Sequence, residues 1–161
     1  MSKDANDLEQ RVPLITALDA IRARPDMYVG NYVSGARLMA CVVETLILLD
    51  AAPLKVARSS PWYFVRSDKD WLMTESGAIR LDVFQFLISL PRGNGFYQEV
   101  ILTALANAVA TSDSTGLNWI KGEAGKWPLP ADADLSMPLE KGRMLAFHYS
   151  KSDFSDFASQ S

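Results

Sequence analysis

Arg24-Pro25-Asp26-Met27-Tyr28-Val29-Gly30, directly behind Ala17-Leu18-Asp19-Ala20-Ile21-Arg22-Ala23, is the stretch on which the reading of this chain turns. Thr16-Ala17-Leu18-Asp19 has the capping-box pattern, in which a threonine hydroxyl and a carboxylate three residues on satisfy orphan amides at a helix start. Pro25 stops that helix, because the residue before a proline is pushed out of the helical region, and Gly30 marks a turn. The residues alone therefore predict a short capped helix running into a turn.

Working outward, GARLMACVVETLILLDAA at 35–52 is apolar on nearly every side, which predicts a helix enclosed between a sheet and its neighbours and closed by Pro53. Trp62-Tyr63-Phe64-Val65-Arg66 and Trp71-Leu72-Met73, separated by the polar turn Ser67-Asp68-Lys69-Asp70, predict a hairpin. The apolar run 81–90 fits a helix or a buried strand equally on periodicity. Pro91-Arg92-Gly93-Asn94-Gly95 is a loop, and Val100, Ile101, Ala104, Leu105 and Ala108 recur at helical spacing, predicting a second buried helix over 97–110. Leu117-Asn118-Trp119-Ile120-Lys121, the turn Gly122-Glu123-Ala124-Gly125, and Lys126-Trp127-Pro128-Leu129 predict another hairpin, its second strand weakened by proline. Beyond a loop at 130–141, Met144-Leu145-Ala146-Phe147-His148-Tyr149 predicts the last strand.

With 161 residues and 48% hydrophobic content the chain has material for one sizeable core. The expected division is a loose acidic arm at 1–12, one domain at 13–152 and a mobile Ser/Asp/Phe-rich tail at 153–161. A net charge of −3 and a pI near 5.1, with no Lys/Arg block, argue against nucleic acid as a direct ligand. Cys41 stands alone, so neither an internal disulfide nor a cysteine-built zinc site is expected, and a reducing cytoplasm fits best. The polar N-terminus lacks the apolar region of a secretory signal. The longest apolar stretch, 39–52, is interrupted by Glu44, Thr45 and Asp50 and is too short to cross a bilayer, so no membrane is expected as a partner.

The run 24–30, behind a helix of the L-[DE]-A-[IV]-R type, resembles the R-P-x-M-Y-[IV]-G signature near the start of the ATPase domain of DNA gyrase B subunits and their topoisomerase IV counterparts. Later pieces fall in the family's order: Leu105-Ala106-Asn107-Ala108-Val109 resembles its V-V-N-A-L helix, and Gly142-Arg143-Met144-Leu145-Ala146-Phe147 resembles its G-T-x-[VL]-x-F strand. The resemblance covers almost the whole chain. It implies the GHKL (Bergerat) fold, an α+β two-layer sandwich whose mostly antiparallel mixed sheet is covered on one face by helices. It also places a helix at 81–90.

What the resemblance implies about chemistry is set by departures from the family's pattern. The family's long helix carries E-x-x-x-N, a water-activating glutamate and a magnesium-holding asparagine one turn apart on one face. Those positions here are Val42 and Leu46, and neither accepts a proton or coordinates a hard cation. Glu44 is turned about 200° from Val42 and reads as a surface or partner-facing charge. The adenine motif D-x-G-x-G should follow the Trp62 strand, where Asp68-Lys69-Asp70-Trp71 stands; an acid is present, but bulky residues replace the glycines. Of the phosphate-cradling G-x-x-G-x-G lid only Gly93-Asn94-Gly95 remains, and an ordinary Asn-Gly turn is the competing reading. Turnover in the family further uses a lysine from a following domain, and strand passage uses domains that 161 residues are not expected to hold.

Other chemistry-bearing residues point to structure. His148 has no serine or cysteine nucleophile motif beside it and Cys41 lies inside an apolar run. Asp132 and Asp134 share the spacing of the first two calcium-loop ligands, yet Met137 and Arg143 occupy the turn-glycine and terminal-glutamate positions. Trp62, Trp71, Trp119 and Trp127 fit packing, with exposure at a protein interface as the next reading.

The expected function is that of a non-catalytic pseudo-ATPase that binds another protein, a basic partner being the one an acidic chain suits, as a regulator, decoy or immunity-type inhibitor, with no cofactor and no metal. The alternative is an ATP-binding protein or divergent ATPase that uses ATP and magnesium, with Asp68, Asp70, Gly93 and Gly95 at the nucleotide. A homodimer is also open, because the resembled family dimerises through the arm of this domain.

Overall fold

The computed structural model describes residues 16–130 and 140–151. The arm at 1–12, the tail at 153–161, and Asp132 and Asp134 lie outside the described residues. Helix α1 (Ala17–Ala23) starts where the capping pattern places it, with Thr16 Oγ1 accepting from Asp19 N at 3.1 Å. Pro25 does more than stop it: a single further turn, α2 (Asp26–Val29), follows before Gly30 caps it at φ +100°.

Helix α3 (Gly35–Leu48) is capped by Ser34 Oγ, which accepts from Arg37 N at 3.1 Å. It is not enclosed on all sides, as its composition suggests. Leu38, Met39, Val42, Thr45 and Leu46 form one buried stripe, while Ile47 and Leu48 are each 59% exposed. The helix ends in a Schellman arrangement, with Ala51 N donating to Leu46 O, Asp50 N donating to Ile47 O, and Asp50 at φ +59° in the place glycine usually takes.

Five strands follow among the described residues: β1 (Leu54–Ser59), β2 (Trp62–Ser67), β3 (Ala108–Asp113), β4 (Gly116–Lys121) and β5 (Arg143–His148). Their order in the sheet is β1-β2-β5-β3-β4, and every pairing among them is antiparallel. The last strand in sequence is thus the central one, flanked by two hairpins. Side chains alternate between faces. Tyr63, Val65, Val109, Leu145 and Phe147 pack under α1, α3 and α4 (Glu99–Leu105). Trp62, Phe64, Ala108, Met144 and Ala146 face the other way, under Trp119, Trp127 and Leu129. The architecture is an α+β two-layer sandwich with helices on one face.

Several local expectations are corrected. The partner of β2 is β1, through a tight turn at Ser60-Pro61, and not Trp71-Leu72-Met73, which forms turns with a single bridge from Met73 to Ile79. The run 81–90 is neither a full helix nor a strand: it holds a 3-10 turn, Leu81–Phe84, that buries Val83 and Phe84, and an isolated bridge from Ser89 to Phe96. The second buried helix stops at Leu105, so Leu105-Ala106-Asn107-Ala108-Val109 is not a helical motif here, and Ala108 begins β3. β4 pairs with β3, and Lys126-Trp127-Pro128-Leu129 is not a strand.

Candidate functional site

The residues that the resemblance assigns to nucleotide chemistry do not come together as a cleft. Val42 and Leu46 are each 0% exposed, so solvent does not reach either side chain. Both belong to the core between α3 and the sheet. Glu44, on the same helix, points to solvent.

Asp68 is exposed beside a cleft of about 80 Å³ lined by Pro53, Lys55, Arg66 and Ser67. That space is well below the roughly 300–1,000 Å³ of small-molecule pockets. Gly142 closes against it at φ +83°, and any side chain there would collide with Ser67 O. Asp70 has its carboxylate fully engaged. Its Oδ1 accepts from Arg143 Nε at 2.5 Å and from Leu72 N at 3.1 Å, and its Oδ2 accepts from Arg143 Nη2 at 3.0 Å.

Arg143 is the hub of a buried polar network that the sequence did not announce. It also donates to Thr111 Oγ1 at 2.9 Å and to Asp113 Oδ2 at 3.2 Å. Thr111 Oγ1 in turn donates to Met144 O at 2.8 Å. The Asp113 carboxyl is held below its ordinary range, chiefly by the Thr115 hydroxyl and also by the Arg143 charge. Nearby in the core, Glu99 accepts from Trp71 Nε1 at 3.1 Å through Oε2, while Oε1 has no hydrogen-bond partner among the described residues. Burial pushes the Glu99 carboxyl up to about 7. A perturbed acid marks an active site when a cleft gives substrate access to it. Glu99 is 0% exposed, so it serves the interior.

The loop carrying Gly93 and Gly95 is exposed and is closed by Leu90 N donating to Gly95 O at 3.0 Å. Gly93 adopts φ +82° with open space around it, as a turn glycine does, and a Cβ at Gly95 would meet only Leu90 Cδ1. Pro91 and Arg92 border a cleft of about 230 Å³ with Leu48, Leu49 and Asp50, at the C-terminal end of α3. Helix carbonyls converge there, and their partial negative charge disfavours phosphate.

His148 is 8% exposed, with Nδ1 at 3.2 Å from Asn107 Oδ1 and its ring 4.6 Å from the Trp127 ring and 5.4 Å from the Trp62 ring. Cys41 is half-buried against the core, and burial raises its thiol above the ordinary range, which lowers its thiolate fraction. Among the described residues no group of three or more His, Cys, Asp or Glu is placed to hold a metal, and no helix is long and apolar enough to cross a membrane. No protein-family model matches the chain, and no curated protein matches it.

Proposed function

We propose that this chain is a catalytically silent relative of the GHKL ATPase domain that works in the cytoplasm by binding another protein. The observation that carries the reading is the complete burial of Val42 and Leu46, at the positions where the resemblance puts the general base and the magnesium ligand. A carboxylate or amide there would have no route to water, substrate or metal. Two further features support it: Asp70 is committed to Arg143, and the Gly93 loop lies at the wrong end of α3 for phosphate. For a binding role, Ile47 and Leu48 on the last turn of α3 leave apolar surface at the helix tip, within reach of a partner. The negative net charge favours a basic partner.

Calorimetry with a non-hydrolysable ATP analogue and magnesium, set beside affinity capture from the native cytoplasm, tests this. No nucleotide heat and a stoichiometric protein partner, lost when Ile47 and Leu48 are changed to Asp, are expected. Saturable micromolar nucleotide binding would overturn the proposal in favour of a divergent ATPase. Light scattering identifies a second copy of the chain if that is the partner.

A further inference from the structure

Arg22 on α1 and Lys121 at the end of β4 both reach the C-terminal end of α4. Arg22 Nε donates to Ala104 O at 3.0 Å, and Lys121 Nζ donates to Thr103 O at 3.0 Å and to Ala106 O at 2.6 Å. These are the carbonyls that a helix end leaves open, so capping is part of what the two cations do. Capping does not balance their charge. A helix C-terminus carries about half a negative charge, against two full positive ones. Among the described residues no carboxylate forms an ion pair with either. Burial first, and the Arg22 charge second, pull the Lys121 ammonium down to about 8.

Both side chains line one cavity of about 570 Å³, whose remaining walls include Pro25, Val33, Leu105 and Tyr149. That volume falls in the range of small-molecule sites, and such walls suit a hydrocarbon body better than a hydrated inorganic ion. Uncompensated positive charge at an apolar cavity concentrates anions. We propose that this cavity binds a small organic carboxylate, its charged end on Arg22 and Lys121 and its apolar body against Pro25, Val33 and Leu105. The guanidinium has donors beyond Nε and the ammonium a third proton, so both can meet the carboxylate while keeping their helix contacts. The inference does not depend on the loss of ATPase chemistry.

Octanoate, titrated into the full-length 15N-labelled protein beside 1-octanol and inorganic phosphate, is the test. Saturable amide shifts at 22, 104–106 and 121 with octanoate are expected, with octanol and phosphate each at least about tenfold weaker. Arg22→Gln, which removes the charge but keeps a side-chain amide donor for Ala104 O, should weaken octanoate about tenfold while shifting the melting temperature by no more than about 4 °C. Lys121→Arg should retain binding. Absence of saturable shifts, octanol or phosphate binding as tightly as octanoate, or unchanged affinity in Arg22→Gln would overturn the proposal.

Discussion

Arg143 and Asp70 meet through two N–H···O contacts, Nε to Oδ1 at 2.5 Å and Nη2 to Oδ2 at 3.0 Å, with the Arg143 side chain 1% exposed. The pair ties the centre strand of the sheet to the segment that leaves β2. Removing one member of a buried pair strands the other charge, at a cost of about 3–5 kcal/mol. Asp113 still neutralises part of the Arg143 charge, so Asp70→Asn should fall at the lower end of that range. Asp113→Asn, which leaves the two-point pair intact, should cost less, and Asp68→Ala should stay within about 0.5 kcal/mol of the parent. Urea denaturation of the three variants gives the order. A larger loss from Asp68→Ala than from Asp70→Asn would contradict the network.

The ring of Tyr63 lies where a side chain at position 35 would have to be. A Cβ on Gly35 would sit inside the van der Waals envelope of Tyr63 Cζ, so α3 and the sheet approach this closely only with glycine at the helix start. Gly35→Ala should therefore destabilise by about 1–3 kcal/mol as an overpacked contact, although alanine is the better helix former. Adding Tyr63→Ala should make the alanine at 35 less harmful. Thermal melts of the double-mutant cycle measure the coupling.

Glu99 sets a pH dependence with a definite sign. Its carboxyl sits at about 7 in the folded chain against an ordinary 4.5, so between those values the folded state holds more protons than the unfolded one. The stability associated with protonated Glu99 is complete below pH 4.5, falls as pH rises, and is gone above about 7. The loss is on the order of 3 kcal/mol for a shift of this kind. Glu99→Gln keeps an acceptor for Trp71 without the charge. It should be more stable than the parent at pH 8, with the advantage shrinking towards pH 5. A constant difference across that range would show that Glu99 is not protonated in the core.

What the sequence revealed and what it hid follow from where the forces act. Thr16 and Pro25 act through backbone groups within three or four residues, and α1 begins and ends where such local signals place it. β2 and β5 stand out because they are central and apolar. β1 was missed because Leu54-Lys55-Val56-Ala57-Arg58-Ser59 is an edge strand with polar residues facing water. β3 was absorbed into the preceding helix because Ala108 continues the apolar spacing of Val100, Ala104 and Leu105. What breaks that helix is distant in sequence: Asn107 N donates to His148 O at 2.8 Å, and Asn107 Oδ1 accepts from Ser150 N at 2.7 Å. For the same reason the Arg143 network and the cavity between Arg22 and Lys121 leave no local pattern, since each joins elements far apart in the chain.

Restoring the resembled family's residues is the sharpest test of the silent-ATPase reading. Val42→Glu combined with Leu46→Asn would rebuild the E-x-x-x-N pair on α3, one turn apart on the same face. In the resembled family's cleft that face would meet water and nucleotide. In this chain both positions are fully buried among the core residues, so the new groups would lose their hydration without gaining a metal or a substrate. The expected outcome is a stability loss above about 3 kcal/mol, or failure to fold, with no phosphate release from ATP. Leu46→Met, which keeps the apolar volume, should remain within about 1.5 kcal/mol of the parent and confirms that the damage comes from polarity. Urea midpoints and a phosphate-release assay read the two arms. A folded double variant that hydrolyses ATP in proportion to its concentration would mean that this face of α3 opens to solvent, and the reading of the chain as a binding module would fall with it.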